Sequence, residues 1–172
     1  KINCGPLAGI NENDIVPLAG LAKDKKIPVR FIELMPLGAA AAMRPIPADR
    51  VISLLEAAYG PLKPADAPRG NGPAEYFTVP GFAGRIGLIR AMSHCFCGTC
   101  NRLRLGSSGL LRPCLSSDLN LDLRGRIRAN MPDSEIAETI REFVTHKPAG
   151  HHFTETAGKP EYSRTEMFRI GG

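Results

Sequence analysis

Tryptophan is absent from this 172-residue chain, and aromatic side chains make up only 6% of it. Proteins that hold single-stranded nucleic acid by base stacking need aromatic platforms, and this sequence supplies few. Long apolar runs are missing too. The longest charge-free apolar stretch, Leu34 to Met43, is interrupted by Pro36 and falls short of the roughly 20 residues that cross a bilayer. No transmembrane helix and no membrane partner are therefore expected. Charge of one sign is modest: 22 basic against 17 acidic residues leave a net +5. Such an excess suits an anionic partner without choosing among a phosphate ligand, a nucleic acid and an acidic protein.

What is present fits an ordinary globular chain. Apolar residues reach 43% and charged residues 23%, and a chain of this length can bury roughly two-thirds of its unfolded surface. Eighteen glycines and fifteen prolines, about a fifth of the residues, call for short elements and long connections. Five cysteines, an odd number, stand at 4, 95, 97, 100 and 114 with no apolar leader before them. That pattern favours reduced cytoplasmic thiols holding a metal over a secreted disulfide framework. The opening residue is Lys1, already inside an apolar-alternating stretch, so the expectation is a piece of a larger polypeptide.

From Asn11 to Asp24, Ile15, Leu18, Leu21 and Ala22 recur at helical spacing, with Asn11 placed to cap and Asp14 to complement the helix dipole. Ile27 to Met35 reads as a buried strand, and Lys1 to Cys4 as the strand before the helix. Strand, helix and strand within about 36 residues form a βαβ unit and imply a parallel sheet. A second helix is expected from Pro47 to Tyr59, closed by Gly60, and a proline- and glycine-rich loop follows to about residue 75. Short strands at Tyr76–Val79, Arg85–Arg90, Arg102–Leu105 and Leu110–Leu115 are expected to pair antiparallel. A last helix should run from Asp133 to His146, stopped by Pro148. The boundary is placed near Gly38, dividing the chain into residues 1–38, of α/β type, and 39–172, of α+β type. No internal repeat is found.

Cys97 and Cys100 form C-x2-C, and thirteen residues separate Cys100 from Cys114. A C-x2-C turn aims two thiolates at one centre, and a strand return of this length brings a third beside them. A metal centre is expected, while its identity stays open. Structural zinc takes four protein ligands, for which Cys95 or His94 is at hand; three thiolates alone suit an iron-sulfur cluster with one iron left free of cysteine. Isolated Cys4 is read as a core thiol.

Asn101-Arg102-Leu103-Arg104-Leu105 alternates, which on a strand sets Arg102 and Arg104 about 6.6 Å apart on one face and turns Leu103 and Leu105 toward the core. Two guanidiniums beside a metal centre match a polyphosphate better than a lone ion pair, because each forks onto separate oxygens. Arg124, Arg126 and Arg128 also alternate, far from any other motif, and are read as a solvated face. No nucleic-acid partner is expected.

The run Phe96-Cys97-Gly98-Thr99-Cys100-Asn101-Arg102-Leu103-Arg104, then Gly109 and Arg112-Pro113-Cys114-Leu115, resembles the C-terminal cluster motif of molybdenum cofactor biosynthesis protein A. That family comprises the GTP 3',8-cyclases of the radical SAM enzymes. Lys1-Ile2-Asn3 and Arg30-Phe31-Ile32-Glu33-Leu34-Met35-Pro36 resemble late strands of its incomplete TIM-type (βα) barrel, and Met167 to Gly172 resembles its double-glycine tail. The resemblance implies the last barrel strands followed by an α+β domain binding a 4Fe-4S cluster. Cys97, Cys100 and Cys114 would be its ligands, and its remaining iron would meet the guanine of GTP. It further implies Lys1, Arg30, Arg102 and Arg104 as GTP contacts and Met35 at the border of S-adenosylmethionine. Gly171 and Gly172 would be catalytic tail residues, thin enough to approach substrate. Outside the resemblance, Met35 would be read as core and the glycines as a frayed end.

Departures limit what is expected of this sequence alone. The family's radical chemistry uses a C-x3-C-x2-C segment for a second cluster, and no such spacing occurs here. S-adenosylmethionine cleavage is thus expected only with an N-terminal half, missing here or carried on a separate chain, and a homodimer is a possible partner arrangement. The Gly106-Ser107-Ser108-Gly109 turn lacks the family's usual aspartate. Cys95 is additional and keeps a non-enzymatic zinc ribbon, binding nucleic acid or protein, as the competing reading.

Overall fold

The computed structural model describes residues 1–66, 72–151 and 153. The chain divides into two compact units, one of residues 1–35 with 43–96, the other of 36–42 with the residues from 97 onward.

In the first unit, β1 (Ile2–Cys4) is followed by a short 3-10 turn and α1 (Ile15–Gly20), then β2 (Pro28–Ile32). β1 and β2 run parallel with Asn3 opposite Arg30, so the expected βαβ unit is formed. Asn11 begins the helical segment as expected, but it caps no helical N–H. Its side chain accepts from Leu7 N at 2.7 Å and donates to Gly5 O at 3.1 Å, closing the turn after β1. α2 (Ala48–Tyr59) ends where expected, with Gly60 at φ 86° and its N–H on Glu56 O at 2.9 Å.

β3 (Lys63–Ala65), β4 (Glu75–Thr78) and β5 (Arg85–Ile89) complete a mixed sheet in the order β1-β2-β5-β4-β3. Two expectations change here. β5 pairs parallel with β2 and antiparallel only with β4; being buried along nearly its whole length, it serves as a central strand. β3 lies in the segment expected to be loop, and Pro64 is tolerated because β3 is the sheet edge. The strands on either side of Gly38 thus share one sheet, and among the described residues that sheet is open, with no closed barrel.

Strand alternation gives the sheet two distinct faces. Cys4, Val29, Phe31, Ile86 and Leu88 point to one side, where Ile15, Ala19 and Ala22 from the α1 region and Val51 and Leu55 of α2 cover them. Burying each of the larger side chains contributes roughly 1.5–3 kcal/mol. The opposite face carries the row Asn3, Arg30, Gly87 and Tyr76, one residue from each of four neighbouring strands. Ile32, Tyr76, Ile89, Ala74 and Phe96 form a smaller apolar cluster on that side.

The second unit holds a three-stranded antiparallel sheet of β6 (Arg104–Leu105), β7 (Leu110–Arg112) and β8 (Leu121–Asp122), then α3 (Leu123–Arg128) and α4 (Asp133–Thr145). Asp122 caps α3 by accepting from Gly125 N at 2.8 Å. Arg124, Arg126 and Arg128 therefore lie on a helix, where alternate residues do not share a face. Among the described residues no helix is long and apolar enough to cross a membrane.

Candidate metal centre and polar sheet face

Cys97 opens a single 3-10 turn, Cys97–Thr99, and Cys100 N donates to Cys97 O at 3.1 Å. This short ring is what a C-x2-C spacing with a glycine between the thiols permits, and it leaves both cysteines half-buried. Cys114 follows β7 and the buried Pro113, with its Sγ 3.4 Å from Ser116 Oγ. The β6–β7 hairpin sets Arg104 opposite Arg112 and so brings Cys114 back toward the C-x2-C turn.

Among the described residues Cys97, Cys100 and Cys114 do not form a group with all three sulfurs within 4.8 Å, but Arg104 lies beside two of them. Burial and the neighbouring Arg102 charge pull its guanidinium below the ordinary arginine value, while the Cys100 and Cys114 thiolates act in the opposite sense. One cation thus lies within electrostatic reach of two of the three cysteines. The strand geometry expected around it is corrected in two respects. Arg102 precedes β6 and does not belong to it, and Leu103 and Leu105 are 39% and 57% exposed, facing away from any core. Arg104 is the inward residue of the alternation.

Two residues outside the expected site stand beside these cysteines. Lys147, two positions past α4, donates from Nζ to Cys100 O at 2.7 Å and to Arg102 O at 2.8 Å, and lies 3.6 Å from Cys100 Sγ. A ring nitrogen of His151 lies within 4.8 Å of Cys97 Sγ, close enough for the two to share an ion, and the imidazole packs on buried Phe153 at 4.9 Å between centroids. His94 and Cys95, both exposed, belong to the first unit. Half-buried thiols among a lysine and an arginine suit an anionic thiolate-bound cluster, since the cations offset its negative charge.

The polar sheet face of the first unit carries Arg30. Arg30 Nε donates to Asn3 Oδ1 at 2.8 Å, and Lys1, exposed, immediately precedes β1, two residues before Asn3. Gly87 lies beneath Arg30: a Cβ there would sit 2.9 Å from Arg30 Cγ and 3.0 Å from Tyr76 Cε1. Met35, half-buried, lies three residues past the end of β2, so it is a loop residue and not a strand end. Gly171 and Gly172 lie outside the described residues.

Glu33, just beyond β2, was not expected to matter. Its buried carboxylate accepts from Ser93 Oγ at 2.6 Å, from Met92 N and Ser93 N at 2.9 Å each, and from Ala48 N at 3.1 Å. Burial pushes its pKa up, but the Ser93, Met92 and Ala48 hydrogen bonds outweigh it and hold the group below the usual carboxylate value. Glu33 thereby caps α2 and ties β2 to the segment after β5.

Thiols, an imidazole and cations carried on turns and loops beside short strands mark an α/β chain of the kind able to hold a metal and meet anions. The comparisons specify it further: the chain belongs to the family described as Molybdenum Cofactor Synthesis C, whose profile matches residues 27–153. Similarity to individual proteins extends over its whole length. It is 42% identical over 175 residues to a GTP 3',8-cyclase of Pelotomaculum thermopropionicum, covering 100% of this chain and 53% of that protein. A GTP 3',8-cyclase of Moorella thermoacetica is 40% identical over 174 residues, with 52% of it covered, and one of Clostridium perfringens is 36% identical over 172, with 53% covered. The chain therefore spans about half the length of the curated relatives it matches.

Proposed function

We propose that this chain supplies the GTP-binding, cluster-holding C-terminal part of a GTP 3',8-cyclase in molybdenum cofactor biosynthesis. The observation that carries the reading is the setting of Cys97, Cys100 and Cys114: the β6–β7 hairpin returns Cys114 toward the C-x2-C turn, in a chain that matches GTP 3',8-cyclases along its whole length. The three cysteines hold a 4Fe-4S cluster in this reading. When bound, such a cluster offers one iron free of cysteine as a Lewis acid for a nucleobase atom. Arg102 and Arg104 take the phosphate oxygens, where guanidinium forks match the anion's geometry. Lys1 and Arg30 supply further positive charge to GTP from the polar sheet face, Arg30 being aimed by Asn3.

The three parallel strands β1, β2 and β5 support reading the first unit as the last part of an incomplete βα barrel. Met35 borders S-adenosylmethionine in this arrangement, and Gly171 and Gly172 reach substrate as thin backbone. Cleavage of S-adenosylmethionine falls to residues outside this sequence, which contains no C-x3-C-x2-C spacing.

Calorimetry on the reconstituted chain tests the reading. GTP should bind more tightly than ATP, and Arg102→Ala or Arg104→Ala should each weaken GTP by about 1–3 kcal/mol, the worth of a charge-assisted hydrogen bond. Equal affinity for the two nucleotides removes the guanine contact, and indifference to both substitutions removes the phosphate role. A zinc site is the competing reading, favoured by the imidazole of His151 near Cys97.

A further inference from the structure

We infer that Lys147 is a positioning residue for the metal centre, bracing the segment that carries both Cys100 and Arg102. The inference rests on the proposed roles of those two residues and adds a third residue 47 positions downstream of the cysteine. An ammonium has three donors and no acceptor. Here two point at the backbone carbonyls of Cys100 and Arg102, at 2.7 and 2.8 Å, and the Cys100 sulfur is 3.6 Å away. All three positions around Nζ are thus occupied by groups of one short segment.

The choice of acceptors explains what the contact does. In an extended run, carbonyls two residues apart face the same side, so one ammonium can meet both. A single cation bound to both therefore fixes the conformation of 100–102, which no strand ladder holds, since β6 begins only at Arg104. That conformation sets where the Cys100 thiol and the Arg102 side chain leave the backbone. The brace is itself anchored: Lys147 N donates to Val144 O at 3.1 Å, His146 N to Phe143 O at 3.2 Å, and Pro148 follows. α4 thus acts as a strut whose end grips the C-x2-C loop. Charge gives a second consequence, because a cation beside a cluster thiolate favours the more reduced, more negative state. Lysine suits the place better than arginine, whose planar fork cannot gather three acceptors around one nitrogen.

The test uses the full chain with Lys147→Met and Lys147→Arg. In the metal-free chain, hydrogen–deuterium exchange over residues 97–105 should accelerate about tenfold or more in Lys147→Met, as expected for losing charge-assisted bonds, with the five-stranded sheet unaffected. After anaerobic reconstitution, Lys147→Met should retain less iron and sulfide, and its cluster should shift to a more negative reduction potential. Lys147→Arg should keep the parent potential without restoring the exchange protection. Parent-like exchange in Lys147→Met overturns the brace. If the parent chain takes up no iron and sulfide, the cluster reading falls instead, and the exchange result still decides what Lys147 does. Should Lys147→Met not fold, the exchange of Lys147→Arg carries the decision.

Discussion

Replacing Glu33 by glutamine changes one atom of a buried carboxylate and should destabilise the chain far more than its size suggests. Four donors converge on this group: Ala48 N and Ser93 Oγ on Oε1, Met92 N and Ser93 N on Oε2. A glutamine can keep its oxygen toward Met92 and Ser93, but its NH2 then faces the N–H of Ala48. The Ser93 hydroxyl can turn to accept; Ala48 N cannot. One orphaned backbone donor costs about 1–3 kcal/mol, and the remaining bonds lose their charge assistance, so a total of about 2–4 kcal/mol is expected. For a chain of this length that is a fall in Tm of roughly 5–15 °C near neutral pH.

Acidity supplies the control. Because the folded carboxylate titrates below its unfolded value of about 4.5, its contribution is complete above that pH and is lost as pH falls through the folded value. The difference between parent and Glu33→Gln should therefore be full at pH 7 and shrink below pH 4.5. Urea unfolding of the metal-free chain, followed by circular dichroism at both ends of that range, measures it. Equal stability at pH 7, or a gap that widens in acid, would refute the reasoning.

Gly87→Ala places a methyl against Arg30 and Tyr76; stability should fall by about 1–2 kcal/mol, and GTP affinity should fall as Arg30 leaves Asn3, both read by denaturation and calorimetry. Gly87→Ala with unchanged nucleotide binding would detach Arg30 from the substrate. Deleting Gly171 and Gly172 should leave Tm and cluster content as they are while abolishing turnover in a complex completed with an N-terminal half. Full activity without them would make the glycines a mere end.

Local pattern made much of the molecule legible, and its limits are physical. The βαβ start, α2 with its Gly60 stop and α4 followed by Pro148 rest on periodicity and caps, which are written within a few residues. The parallel pairing of β5 with β2 joins segments more than fifty residues apart, and no local signal orders strands within a sheet. Pro64 pointed to a loop because proline breaks ladders, yet an edge strand needs only half its donors. In the candidate metal centre, spacing alone brought Cys97, Cys100 and Cys114 forward. Alternation assigned Arg104 and Leu105 to opposite faces, but the expectation that the leucines face the core fails, because alternation does not tell which face is inside and both are exposed. Lys147 and Glu33 were hidden for one reason. Each acts on backbone groups of distant segments, and a backbone donor or acceptor leaves no mark in the sequence.

The most direct test is metal and sulfide analysis of the chain purified without oxygen, beside its single cysteine variants. Iron and acid-labile sulfide in equal amounts are expected in the parent and in Cys95→Ser, and their loss in Cys97→Ser, Cys100→Ser and Cys114→Ser. One zinc per chain with no sulfide would contradict the cluster reading.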